Sequence, residues 1–236
     1  MILATDLDGT FLDGEDDKKK ILYRLISQNS DTRLIFVTGR GLENVLKVLY
    51  DLSVPRPDFI IADVGATVFH GKTLSPVQPL QRELSNGWTG SMEIIEALKG
   101  IKDLEYQPVP QRGRCSFFVR TEKTVLEVKE RLASMDCDII YSAEKFLDVL
   151  PKGVNKGNTL NKLINHLQYD HDDVLVAGDS LNDLSMYQYG YKAVVTGNAE
   201  IKLVQAVRNN PEVHIAKETG VGGILEAFHH FDFLEV

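Results

Sequence analysis

Short, continuous apolar runs recur along this chain, and they restrict its possible folds more than any other feature. The runs LIFV (34–37), FIIA (59–62) and VLVA (174–177) place apolar residues on both faces of a strand. Strands of this kind are typical of a parallel sheet that helices cover on both sides. Segments with helical spacing lie between the runs. The sequence therefore predicts an α/β fold with a doubly wound, Rossmann-like parallel sheet.

The middle of the chain departs from this alternation. Residues 71–90 are rich in glycine, proline and serine, which is typical of a connection that leaves a domain core. Helical patterns and short alternating strands follow, which indicates an α+β unit. We therefore predict a core of residues 1–79 and 154–236 and an inserted α+β cap of residues 80–153.

Composition excludes several classes of partner. The formal net charge of −8 over 236 residues disfavours nonspecific binding to nucleic acid or to anionic membranes. No stretch approaches the roughly 20 apolar residues of a membrane span. Cys115 and Cys137 lack the spacing of a metal site and are expected to be reduced. We expect a cytoplasmic, monomeric protein that binds neither nucleic acid nor membranes.

Charged and small residues follow the predicted strands of the core. Because the carboxyl ends of parallel strands meet at one edge of a sheet, these residues are expected to converge there. Crowded carboxylates repel one another unless a cation neutralises them, and Mg²⁺ prefers oxygen ligands with a phosphate as co-ligand. The predicted metal ligands are Asp6, Asp8, Asp179 and Asp183, with Asp183 orienting the site from behind.

Each of these residue types has a role in phosphoryl transfer. A carboxylate that attacks phosphorus divides hydrolysis into two easier steps, and Asp6 is the candidate nucleophile. Asp8 is the candidate acid and base. Thr38 and neighbouring backbone N–H groups are expected to hold phosphate oxygens, while Lys156 balances their charge. The predicted substrate contacts in the core are Thr38, Gly39, Arg40, Lys156 and Asn182.

Four motifs carry a resemblance to a known superfamily. The stretches DLDGT (6–10), VTGR (37–40), NKG (155–157) and GDSLND (178–183) are similar, in this order, to the four motifs of haloacid-dehalogenase-like (HAD-like) phosphatases. The predicted cap lies between the second and third motifs, as in the sugar phosphatases of that superfamily. The resemblance implies that Asp6 is a nucleophile, that Asp8 is the acid and base, and that Asp179 completes a Mg²⁺ site.

Two further stretches narrow the resemblance. DVLPKGVNKGNTLNKLINHL (148–167) and GGILEAFHHFDFL (222–234) are similar to bacterial sucrose-phosphate phosphatases. This implies hydrolysis of a sugar phosphate, with sucrose 6-phosphate as the first expectation. Mannosylfructose phosphate, glucosylglycerol phosphate and mannosyl-phosphoglycerate remain alternative substrates.

A non-catalytic role beside a sucrose-phosphate synthase is the alternative from a different class. The complete set of motif residues argues against it, because a binding module needs no nucleophile. Association of an active phosphatase with such a synthase stays open.

Selectivity for the sugar is expected to come from the cap. Its polar residues that lie beside predicted strands and close in sequence to Lys156 are the candidate sugar contacts: Arg112, Arg114, Asp148 and Lys152.

Overall fold

A computed structural model describes residues 1–233. This part of the chain contains eleven strands: β1 (Ile2–Thr5), β2 (Arg33–Val37), β3 (Phe59–Ala62), β4 (Thr67–His70), β5 (Leu104–Tyr106), β6 (Cys115–Val119), β7 (Cys137–Ser142), β8 (Phe146–Pro151), β9 (Val174–Gly178), β10 (Lys192–Val195) and β11 (Val213–Ile215).

Eight α-helices connect or flank these strands: α1 (Asp16–Gln28), α2 (Leu42–Val48), α3 (Leu80–Leu84), α4 (Ser91–Ala97), α5 (Glu122–Arg131), α6 (Lys156–His166), α7 (Ile201–Val207) and α8 (Val221–His230). Single 3₁₀ segments span Asp63–Gly65, His171–Asp173 and Leu181–Gln188. None of the helices within residues 1–233 has the length and apolar character that crossing a bilayer requires.

Seven strands form the central sheet, in the order β11-β10-β9-β1-β2-β3-β4. Neighbouring strands from β11 to β3 are parallel, and β4 pairs antiparallel with β3 at one edge. Successive side chains of each strand enter two separate apolar clusters. Helices α6 and α7 cover one face, and helices α1, α2 and α8 cover the other. This arrangement confirms the predicted doubly wound α/β fold.

The remaining four strands form a separate antiparallel sheet in the order β5-β6-β8-β7. Its own apolar cluster includes residues of α4 and α5 and strands β6 and β8. No strand within residues 104–151 joins the central sheet, in keeping with an inserted α+β cap. Leu80 and Leu84 of α3 instead pack in a cluster of the central sheet. The domain limits at residues 80 and 153 stay a prediction.

Candidate active site

The order of the central strands brings the first and fourth motifs together. Strand β1 lies between β2 and β9, with Thr5 opposite Phe36 on one side and Ala177 on the other. Asp6, Thr38 and Asp179 each begin the loop that follows one of these three strands. They therefore meet at one edge of the sheet although they are far apart in sequence.

Lys156 joins the third motif to this edge. It is the first residue of α6 and is fully buried. Its Nζ donates to Asp6 Oδ1 at 2.7 Å and to Asp183 Oδ1 at 2.6 Å. Burial alone lowers the pKa of Lys156, but the Asp183 and Asp6 carboxylates outweigh burial and raise it. The ammonium is therefore charged at neutral pH.

Three carboxylates surround this one ammonium. Ligand oxygens of Asp6, Asp179 and Asp183 lie within 4.8 Å of one another. Burial raises the pKa of Asp6 to about 8, against the opposing effect of Lys156. Burial and the Asp183 carboxylate raise the pKa of Asp179 to about 7. A divalent cation would offset this excess of negative charge, so the donor set fits Mg²⁺.

The cluster is held from behind by Asp183. Its Oδ2 accepts hydrogen bonds from the backbone N–H groups of Asp179 and Ser180, each at 3.0 Å. Its Oδ1 accepts from Lys156, and the side chain is fully buried. Both oxygens of Asp183 therefore have protein partners, whereas Asp6 and Asp179 face the cavity described below.

Asp8 lies outside the three-carboxylate cluster. Its two oxygens accept hydrogen bonds from the Arg40 guanidinium, from Nε at 2.7 Å and from Nη2 at 2.5 Å. The backbone N–H of Arg40 in turn donates to Thr38 Oγ1 at 3.1 Å. Thr38 is itself fully buried. The loop after β1 and the loop after β2 are thus tied to each other at the edge of the cavity.

Gly9 allows the close approach of the first loop to Asp179. Its φ of +81° lies in the left-handed region, and a Cβ on this residue would overlap the Asp179 carboxylate. Thr10 Oγ1 donates to Asp179 Oδ1 at 3.0 Å, which fixes that carboxylate from the same loop. A larger residue at position 9 would displace one of the cavity acids.

A cavity of about 380 Å³ lies between the central sheet and the four-stranded sheet. The central sheet contributes its acids and the loop after β2, and the four-stranded sheet contributes polar and apolar side chains. Of the residues singled out in the sequence, those lining the cavity are Asp6, Asp8, Gly39, Arg40, Arg114, Asp148, Asp179 and Asn182. Thr38, Lys156 and Asp183 are buried and do not line it.

Two of the candidate sugar contacts lie elsewhere. Arg112 is exposed, and its Nη2 contacts Glu43 Oε1 at 2.9 Å. Lys152 is exposed as well, and its Nζ contacts Asp138 Oδ1 at 2.6 Å. Neither residue lines the cavity. Arg114 and Asp148, by contrast, are buried and contact each other at its wall.

Several cavity residues carried no recognisable motif in the sequence. They include Asn44, Gln107, Ser142 and Phe146, which lie on α2, beside β5 and around the β7–β8 turn. Asp63 is a further buried acid that belongs to none of the four motifs, although it follows the apolar run of β3 as Asp6 follows that of β1. An acid directly after a buried strand was the signal that could have identified it.

Fold and site together define the class. A doubly wound sheet with a separate antiparallel sheet, and with the four motifs gathered at one edge of the first sheet, is the arrangement of HAD-superfamily phosphatases. The chain belongs to the sucrose-6F-phosphate phosphohydrolase family, whose model matches residues 1–232. This confirms the resemblance found in the sequence.

Three relatives illustrate the range of the family. The chain is 49% identical over 235 residues to glucosylglycerol-phosphate synthase of Pseudomonas anguilliseptica, covering 99% of this chain but only 31% of that protein. It is 27% identical to mannosylfructose-phosphate phosphatase of Agrobacterium fabrum, covering 98% of this chain and 96% of the relative. The solved sucrose-phosphatase of Synechocystis sp. PCC6803, in complex with sucrose and phosphate, has a TM-score of 0.90 at 25% identity, covering 100% of this chain and 99% of that one.

Two of these relatives are named as phosphatases and the third as a synthase, and the three names give different sugar compounds. The chain is a phosphoric monoester hydrolase, as the sequence predicted. The chain spans about a third of the synthase that it matches at 49% identity. What that larger protein does as a whole therefore bears on this chain only as a hypothesis.

Proposed function

We propose that this chain is a Mg²⁺-dependent phosphatase that removes the phosphate from a glycoside phosphate through an aspartyl-phosphate on Asp6. One observation carries the proposal. Asp6 and Asp179 line a cavity directly in front of the buried Lys156 ammonium, and the opposite wall carries the polar side chains that a sugar requires.

Asp6 and Asp179 would hold the metal ion, with Asp183 fixing the loop behind them. When bound, the cation neutralises charge on the transferred phosphoryl group. It also favours ionised Asp6, whose pKa of about 8 would otherwise leave much of it protonated at neutral pH. A protonated carboxyl group is a poor nucleophile. The Asp8 side chain is paired with Arg40. That Asp8 also binds the metal ion therefore stays a prediction.

The two carboxylate oxygens of Asp6 have different surroundings. Oδ1 accepts from Lys156, while Oδ2 has no hydrogen-bond partner among residues 1–233 and is free to attack. In the first step a bond forms between Asp6 Oδ2 and phosphorus, and the bond from phosphorus to the sugar oxygen breaks. That oxygen takes a proton from Asp8 and leaves as the alcohol.

The second step reverses the proton transfer. A water molecule attacks the phosphorus of the aspartyl-phosphate and gives its proton to Asp8, while the bond to Asp6 breaks and inorganic phosphate is released. In both steps Lys156 stays beside Asp6 and balances negative charge. Arg40 is expected to release Asp8 and to turn toward the phosphate, because its guanidinium lines the cavity and a phosphate would compete with Asp8 for its N–H groups.

Selectivity is expected from the wall opposite Asp6. Gln107, Arg114, Ser142 and Asp148 offer hydrogen-bonding groups, and Phe146 offers an apolar ring. A site built to hydrogen-bond hydroxyl groups rejects analogues that lack them by up to roughly 10⁴–10⁵, because its buried polar groups are left unpaired. This wall suits an uncharged, hydroxyl-rich group better than a second phosphate.

Glucosylglycerol phosphate is our first candidate for the substrate. The chain is 49% identical to part of a protein named for making that compound, against 25% for the sucrose-phosphatase of known structure. Sucrose 6-phosphate is the second candidate. The family description and the TM-score of 0.90 to a phosphatase solved with sucrose and phosphate support it.

A panel assay tests the proposal. Phosphate release is measured with Mg²⁺ on glucosylglycerol phosphate, sucrose 6-phosphate, mannosylfructose phosphate, glucose 6-phosphate, fructose 6-phosphate and p-nitrophenyl phosphate. We expect one glycoside phosphate to exceed both monosaccharide phosphates in kcat/KM by at least tenfold. Equal rates on all six compounds, or a preference for a compound without a sugar, would overturn the proposed substrate class.

A further inference from the structure

Asp63 is a fully buried acid that the proposed mechanism does not use. It follows β3 and begins a left-handed turn, with φ angles of 52° at Asp63, 58° at Val64 and 106° at Gly65. Positive φ is strained for a β-branched residue such as Val64 and persists only where the surroundings impose it. The turn is therefore a constrained feature of the fold rather than a loose connection.

The backbone of this turn holds the loop after β2. Asp63 N–H donates to the Arg40 carbonyl at 2.9 Å, and Val64 N–H donates to the Thr38 carbonyl at 3.1 Å. On its other side, Thr159 of α6 donates through Oγ1 to the Gly65 carbonyl at 2.7 Å. The turn thus contacts both the loop that carries Arg40 and the helix that begins with Lys156.

The side chain of Asp63 points toward the four-stranded sheet. Its Oδ1 accepts from Arg114 Nε at 3.1 Å, and its Oδ2 accepts from Thr67 Oγ1 at 2.9 Å. Arg114 Nη1 continues to Asp148 Oδ1 at 3.0 Å, and Ser116 Oγ also donates to that oxygen. This buried chain of contacts runs from the central sheet to the cavity wall that we assign to the sugar.

The Arg114 guanidinium has N–H donors that its protein partners do not use. It is only 5% exposed and lines the cavity, yet among residues 1–233 only its Nε and Nη1 donate to protein groups. A guanidinium has a rigid fork of five N–H donors, so fixing Nε and Nη1 fixes the direction of the others. Burial raises the pKa of Asp63 to about 6, with Arg114 opposing the rise, so this carboxylate is mostly ionised at neutral pH.

We propose that Asp63 is a positioning residue that aims the free N–H groups of Arg114 at the hydroxyl groups of the substrate. The proposal rests on the proposed function for the identity of that substrate. Asp63 makes no contact with the reacting phosphate in this account. Through Arg114, the Asp63 side chain sets how tightly the sugar is bound. Through its backbone N–H, Asp63 holds the loop that carries Arg40 in a fixed position relative to Arg114.

The test compares two substrates in the variant Asp63→Asn. This change keeps the shape of the side chain, and with Oδ1 toward Arg114 the amide Nδ2 can donate to Thr67 Oγ1, but it removes the charge that orients Arg114. We expect KM for the best phosphomonoester of the panel to rise about tenfold with a kcat change below threefold. The loss in kcat/KM on that substrate should exceed the loss on p-nitrophenyl phosphate at least fivefold. A role in stability alone would lower the melting temperature and leave this ratio unchanged.

A double-mutant cycle shows whether Asp63 acts through Arg114. If it does, Asp63→Asn combined with Arg114→Gln raises KM no further than Arg114→Gln alone, since contacting residues are not additive. Effects that multiply would overturn the proposal. Lys202→Gln is the matched control, because Lys202 forms an exposed ion pair with Glu122 of α5 at 3.0 Å and lies outside the cavity. Its substrate ratio is expected to stay within twofold of the wild type.

The role of Asp63 can also be tested if Asp63→Asn does not fold or if the proposed substrate class is wrong. If Asp63→Asn does not fold, Thr67→Val loosens the same carboxylate from its other side, and a KM unchanged by that variant would overturn the proposal. If the best substrate of the panel is not a sugar phosphate, the proposed function fails. The role of Asp63 is then still judged from the ratio between the best of the five sugar phosphates and p-nitrophenyl phosphate.

Discussion

The two walls of the cavity carry charge in different ways. On the central-sheet side, the carboxylates of Asp6, Asp179 and Asp183 outnumber the single ammonium of Lys156. On the opposite side, the Arg114 guanidinium pairs with Asp148 at 3.0 Å and with the buried Asp63 at 3.1 Å, and the other lining groups of this wall are uncharged. A wall with uncompensated charge needs a cation and a phosphate to complete it, whereas a wall with paired charge can bind a neutral group.

This difference assigns separate tasks to the two walls. Changes to Lys156 and to the acids Asp6, Asp179 and Asp183 are expected to affect every phosphomonoester, because all of them share the phosphoryl group. Changes on the opposite side are expected to affect only substrates that carry the sugar.

The largest effect is expected for Asp6→Asn. An amide does not attack phosphorus, so turnover of sugar phosphate and of p-nitrophenyl phosphate should both fall by roughly 10⁴-fold or more. Phosphate release on both substrates measures this loss. Asp16→Asn, which changes an exposed acid of α1, is the matched control and should retain wild-type rates. Activity of Asp6→Asn within tenfold of the wild type would rule out this residue as the nucleophile.

Removal of divalent cations is expected to have the next largest effect. A metal ion at a transferring phosphoryl group is worth several kcal/mol, so chelation with EDTA should lower kcat at least about 100-fold. Added Mg²⁺ should restore activity, and Ca²⁺ should restore it poorly because it takes more ligands at longer distances. Rates that survive exhaustive chelation would contradict the assignment of Asp6 and Asp179 as metal ligands.

A smaller effect concerns stability against pH in the metal-free protein. The pKa of Asp6 is raised to about 8 and that of Asp179 to about 7, whereas both are near 3.8 in the unfolded chain. The folded state therefore holds more protons between pH 4 and pH 8, and the free energy of unfolding falls as pH rises through this range.

Thermal unfolding in EDTA checks the sign of this linkage. Since 1 kcal/mol shifts the melting temperature of a chain of this size by about 2–4 °C, we expect a drop of at least about 3 °C from pH 6 to pH 8. Asp6→Asn removes one of the groups and should reduce the drop. A melting temperature that rises over this interval would contradict the picture of uncompensated carboxylates.

The contrast between the walls also explains how much the sequence could predict. Asp6 and Asp179 were predicted because each follows a buried strand, and the ends of neighbouring parallel strands must meet. No such rule governs an antiparallel sheet. Arg112 and Arg114 are two residues apart, yet one reaches an exposed Glu43 and the other a buried Asp148.

The register between β6 and β8 decides this outcome. Ser116 lies directly opposite Asp148, which places Arg114 near that acid. The contact of Arg114 with Asp63 depends in addition on how the two sheets meet. Neither the register of β6 and β8 nor the way the two sheets meet can be inferred from the spacing of residues in the sequence. The cluster of acids at the edge of the central sheet was therefore predictable, and most of the opposite cavity wall was not.

The most direct measurement of the division between the walls is the substrate ratio of Arg114→Gln. It is the ratio of kcat/KM on the preferred sugar phosphate to kcat/KM on p-nitrophenyl phosphate, compared with wild type and with Lys152→Gln. Lys152 is the matched control because it lies outside the cavity. We predict a ratio at least tenfold lower in Arg114→Gln, with Lys152→Gln within twofold of wild type. An Arg114→Gln ratio equal to that of the wild type would contradict the account.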